Sequence, residues 1–101
     1  MAKTFVTAAL ERSKNLLAKI SKNTNITAMD RLKQRDPALT ALFERELRLL
    51  LHDIAHAAEN DRDQKWAVKK EELAELRKYQ LLFSKALEKL TGVRTKIAPL
   101  N

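Results

Sequence analysis

An all-α fold is what this chain predicts, and three observations predict it. Glycine occurs once and proline twice in 101 residues, too few for sheets, whose tight turns take positive φ that glycine supplies most readily. Alanine, leucine, lysine, arginine and glutamate dominate instead, and all are good helix formers. Apolar residues recur at intervals of three and four along most of the chain, the period of one helix face. The expected architecture is an antiparallel bundle of three main helices, near 4–21, 37–59 and 62–91, plus a short connecting helix near 27–34. The second and third helices are expected to form a hairpin. The whole chain, 1–101, makes one domain large enough to bury a modest core.

The first helix carries Phe5, Val6, Ala9, Leu10, Leu16, Leu17 and Ile20 on one apolar stripe. It should stop at SKNTN, residues 21–25, whose polar side chains compete with the helix backbone for hydrogen bonds. Thr27 is placed to cap the short helix, with Asp30 three residues on as its partner. Ile26, Met29 and Leu32 give that segment an apolar side.

Asp36-Pro37 is the clearest signal. Aspartate caps free N–H groups, and proline fits the first helical position, where no N–H is needed. The helix that starts there has its stripe at Leu39, Phe43, Leu47, Leu50, Ile54 and Ala57, with Leu49 outside it. The last helix has Trp66, Leu73, Leu76, Phe83, Leu87 and Leu90, a heptad-like seam interrupted at Lys69 and Gln80. Gly92 is the expected terminator, and the tail from 91 to 101 is expected to be partly irregular, with Val93, Ile97 and Leu100 available to dock it.

No glycine or proline lies between 38 and 91, so one continuous helix is the alternative to a hairpin. The phase of the stripe decides between them. Extended from Ala57 in steps of three and four, the second stripe reaches Asp61, Gln64 and Val68, whereas the third passes through Trp66. The apolar face turns by about half a turn between them. A reversal near Asn60 and Asp61 is therefore expected, with Asp61 capping the third helix and Gln64 as its partner. Trp66 should then cover the small residues Ala55 and Ala58.

Composition excludes several chemistries. There is no cysteine, hence no disulfide framework and no thiolate ligand or nucleophile. No apolar run approaches the roughly 20 residues that cross a bilayer, and the N-terminal apolar run is too weak for a secretory signal. No glycine-rich phosphate loop and no nucleophile constellation stands out. His52, His56 and Glu59 share one side of a helix at i, i+4 and i+7, a spacing that zinc accepts. Arg45 and Arg48 lie on the same side and repel a cation, and HDIAH lacks the glutamate that the helical zinc-protease pair uses as base. No cofactor, metal or small-molecule substrate is expected, and no enzymatic activity.

The net charge of +7 is unevenly spread. Residues 1–35 hold eight Lys/Arg and two acids, residues 36–60 two and five, and residues 61–101 ten and six. A basic first third fits an anionic partner. It equally fits oppositely charged segments packed side by side within the fold. The functional expectation is a non-enzymatic, cytoplasmic binding protein that acts through association with another protein or a second copy of itself, in an accessory or regulatory role. Leu49, Leu73, Leu76, Leu81, Phe83 and Leu87 are its candidate contacts with a partner helix. The third helix, roughly 43 Å long, is longer than the first can cover. The alternative is a nucleic-acid accessory protein. Lys14, Lys19, Lys22, Arg31, Lys33 and Arg35 would neutralise phosphates, with Lys69, Lys70, Arg77, Lys78, Lys85 and Lys89 lining part of the third helix, although Glu71, Glu72, Glu75 and Glu88 interleave there.

Overall fold

The fold begins with four α-helices and no strand among the described residues, which in this computed structural model are 3–97 and 100. Helix α1 spans Phe5–Asn23, a 3-10 turn spans Ile26–Ala28, α2 spans Met29–Arg35, α3 spans Pro37–Asp63 and α4 spans Lys70–Thr91. The molecule measures 45 × 26 × 19 Å. Its long axis matches α3, whose 27 residues extend about 40 Å.

Each helix boundary has a local cause, and several differ from expectation. Asp36 accepts the Leu39 N–H at 3.1 Å, with Pro37 opening α3. Gly92 closes α4 with φ 72° and donates its N–H to Glu88 O, the left-handed C′ geometry that glycine adopts without a Cβ penalty. The 3-10 turn is capped by Asn25, whose side chain accepts both the N–H and the hydroxyl of Thr27. The expected cap at Thr27 is thus corrected: its hydroxyl donates to Asn25, two residues earlier in the chain.

The larger correction lies between α3 and α4. Helix α3 runs on past Asn60 and Asp61 to Asp63, and residues 64–69 connect it to α4. Trp66 N–H bonds to Asp61 O and Lys65 N–H to Arg62 O, the paired bonds of a Schellman ending. The left-handed residue is Lys65, φ 58°, a position where glycine is usual. Helix α4 starts eight residues later than expected. Asp61 does not cap it; Lys69 stands at that cap with no side-chain bond. Instead Asp61 is fully buried and accepts the backbone N–H groups of Phe5 at 2.6 Å and Val6 at 2.9 Å. Thr4 accepts the third N–H, from Thr7, so the first turn of α1 has its orphan donors satisfied from two directions.

Trp66 also departs from expectation. Its ring stacks on Phe5, centroids 5.6 Å apart, and it stays 39% exposed. It shares a shallow depression with Ala58, but Ala55 lies in another, beside Leu51 and the tail residue Ile97. Leu100 packs against the core, while Val93 is exposed. Residues 98, 99 and 101 of the expected irregular tail lie outside the described residues.

The core follows the predicted stripes closely. Val6, Ala9, Leu10, Leu16 and Ile20 of α1 meet Phe43, Leu47, Leu50, Ile54 and Ala57 of α3 and Leu76, Phe83, Leu87 and Leu90 of α4, and Met29 and Leu32 of α2 join them. Along α1 the partners on α3 recede as the chain advances: Val6 with Asp61, Arg12 with Asp53, Lys19 with Glu46. Gln80, which breaks the α4 seam, is buried with its side-chain oxygen accepting from Arg77. No buried side-chain nitrogen or oxygen among the described residues lacks a hydrogen bond, which is what a buried polar group requires.

Candidate nucleic-acid interface

The six cations expected to contact phosphates divide into two groups. Lys14 and Lys19 lie mid-helix on α1 and face acids of the neighbouring helices. Lys14 pairs with Glu75 of α4 at 3.6 Å and Lys19 with Glu46 of α3 at 2.8 Å. These two belong to the side-by-side charge pairing that was the alternative explanation of the basic first third.

The other four collect at one end of the molecule, where α1 ends, α2 crosses and α4 ends. Lys22, Arg31, Lys33 and Arg35 are all exposed. Arg35 donates to the Asn23 carbonyl at 2.5 Å, which ties the end of α2 to the end of α1. The ammonium of Lys89, in the last turn of α4, donates to the Thr27 carbonyl and so joins the same cluster. Arg94 lies three residues past the end of α4 and is exposed. Among the described residues, no ion pair engages Lys22, Arg31, Lys33, Arg35 or Lys89.

The acids at this end are largely occupied. Asp36 caps α3, and Glu88 accepts the Thr95 N–H at 3.0 Å; Asp30 is the third. Lys22, Lys33, Arg35 and Lys89 also stand in the last turns of α1, α2 and α4, where the helix dipole favours positive charge. Lys89 was legible as a lysine of the last helix, but its place in this cluster required the path of the 3-10 turn.

Of the candidate partner-helix residues, Leu76, Phe83 and Leu87 are buried in the chain's own core, and Leu73 is half-buried against it. Leu49 and Leu81 are exposed, at 58% and 41%. The α4 seam is thus largely occupied from within the chain. The rings of His52 and His56 lie 4.5 Å apart, and His56 Nδ1 is 3.7 Å from Glu59. No group of three or more His, Cys, Asp or Glu among the described residues is arranged to hold a metal ion. No described helix is long and apolar enough to cross a membrane.

No family model matches the chain, and neither a curated protein nor a solved structure is found to be similar to it.

Proposed function

We propose that this is a non-catalytic binding protein whose basic end grips the phosphate backbone of a nucleic acid. One observation carries the reading: Lys22, Arg31, Lys33, Arg35 and Lys89 converge from three helices on one end, without carboxylate partners among the described residues. Such a surface gains affinity by releasing counterions from phosphates and carries no base-specific readout of its own. The polar residues of the interior support a binding role over a catalytic one. Ser13, Thr40 and Ser84 donate to carbonyls one turn earlier, and Asp61 is spent on the start of α1. The reading takes the helices as an antiparallel bundle with α3 and α4 as its hairpin, consistent with the receding order of α1–α3 partners.

The test is a fluorescence-anisotropy titration of a labelled oligonucleotide at two salt concentrations. Four or five phosphate contacts give a slope of about −4 in log K against log salt on duplex DNA. No binding at low salt overturns the reading, because phosphate contacts are strongest there.

Association with protein is the second reading, and the exposure of Leu49 favours it. Leu49 stands between two hollows, one towards α1 and one bounded by Ala41, Glu44, Arg45 and Arg48.

A further inference from the structure

We propose that a second copy of the chain docks on the α1–α3 face, groove against groove, with Leu49 of each copy packed over the α1 wall of the other. This deepens the protein-association reading and is independent of nucleic acid. The groove has a volume of about 340 Å³, and Leu16 of α1 and Leu50 of α3 form its apolar floor. Leu49 stands at its α3 edge, 58% exposed, between this groove and a second hollow on the side away from α1. Leu42, seven residues earlier on the same side of α3, is a second exposed apolar residue, at 42%.

Charge selects the occupant. The α1 wall of the groove is basic, with Arg12 and Lys19, and the α3 wall is acidic, with Glu46 and Asp53. Two ion pairs span it, Arg12–Asp53 at 2.9 Å and Lys19–Glu46 at 2.8 Å, and all four side chains keep substantial exposure. A homodimer is most simply built on a two-fold axis, which matches the same patch on both copies. An axis along the groove lays the basic wall of one copy on the acidic wall of the other, at matching heights. An axis across the groove would lay basic on basic and acidic on acidic. The self-complementary arrangement is therefore the lengthwise one. It turns each ion pair into a four-charge cluster and lays each Leu49, which stands on the α3 side of its own groove, over the α1 wall of the other copy. It also leaves the two basic ends side by side, doubling the cationic surface at one end of the dimer.

The experiment is sedimentation equilibrium of the full chain over a concentration series, without nucleic acid. Three variants accompany it: Leu49→Ala, the basic wall reversed (Arg12→Glu with Lys19→Glu), and the acidic wall reversed (Glu46→Lys with Asp53→Lys). Circular dichroism confirms that each remains helical. Wild type is expected to dimerise, and Leu49→Ala to weaken it about tenfold. Each reversed-wall variant is expected to be monomeric alone, because both walls then carry one sign. The two mixed in equal amounts are expected to form a heterodimer at least as tight as wild type. A monomeric wild type together with a monomeric mixture overturns the proposal. So does a dimer that Leu49→Ala and both wall reversals leave unchanged, since its interface would then lie elsewhere.

Discussion

Asp61 holds the backbone N–H of Val6 at 2.9 Å across 55 residues of sequence, with its carboxylate fully buried. The second carboxylate oxygen takes the N–H of Phe5. A buried charge is tolerated only where it is well partnered, and here the partners are two amide donors at the positive end of α1. The pair couples the start of α1 to the last turn of α3. Asp61→Ala leaves two N–H groups without acceptors and is expected to cost about 3 kcal/mol, and Asp61→Asn, which keeps one acceptor oxygen, about half as much. Urea denaturation at neutral pH measures both. A loss below about 1 kcal/mol for Asp61→Ala would mean that water replaces the carboxylate, contrary to the burial seen.

Lys65 offers the opposite sign. Its φ of 58° lies in the left-handed region, which costs a residue with a Cβ roughly 1–2 kcal/mol. Lys65→Gly relieves that strain but enlarges the unfolded ensemble, so a net gain of about 0.5 kcal/mol is expected. Lys65→Val, β-branched, is expected to lose about 1 kcal/mol or more. In a domain of this size each kcal/mol moves the melting temperature by about 4–8 °C, so thermal melts resolve the order Gly above Lys above Val. Any other order would show that the α3 ending is held by its neighbours rather than by its own backbone.

These two residues also show where the sequence was legible and where it was not. The stripes on α1, α3 and α4 could be read because burial follows the 3.6-residue period whatever the partner. The same generality misdirected the α4 seam: a heptad stripe looks alike whether the facing helix is in the same chain or another, and here the chain's own core covers Leu76, Phe83 and Leu87. The shift in stripe phase correctly placed a break between α3 and α4, but its position was off. Asp61 followed by Gln64 has the local spacing of a cap, and nothing nearby in sequence reveals that the carboxylate serves Phe5 and Val6. Lys65 carries no glycine signal for its left-handed turn. The charge pattern is explained by packing within the chain for only part of the basic first third. Lys14 and Lys19 face acids because they sit mid-helix against α4 and α3, whereas Lys22, Arg31, Lys33 and Arg35 lie past those acids at the end.

The stacked pair Phe5 and Trp66 gives an optical handle on the same junction. Trp66 is the chain's one tryptophan, so its emission reports this site alone. Phe5→Ala removes the stack and is expected to cost about 1 kcal/mol, to shift the emission to the red and to increase quenching by acrylamide. Emission unchanged in Phe5→Ala would mean that the indole is held by the Ala58, Val68 and Leu73 side of its depression instead.

The final prediction separates the two groups of cations. If the basic end binds nucleic acid, Arg31→Glu with Lys33→Glu removes two phosphate contacts and adds repulsion there. The affinity should fall at least tenfold at low salt, and the salt slope should shrink by about 2 on duplex DNA. Both residues are exposed and neither side chain has a partner among the described residues, so the fold should be unaffected, which the melting temperature checks. Lys14→Ala and Lys19→Ala are the matched controls. Each gives up an exposed ion pair, with Glu75 or Glu46, worth at most about 1 kcal/mol. Their oligonucleotide affinity should stay within about twofold of wild type, the ordinary scale of a distant single charge near physiological salt. Equal losses from both groups would spread binding along α1 and displace the interface from the end of the molecule to its side.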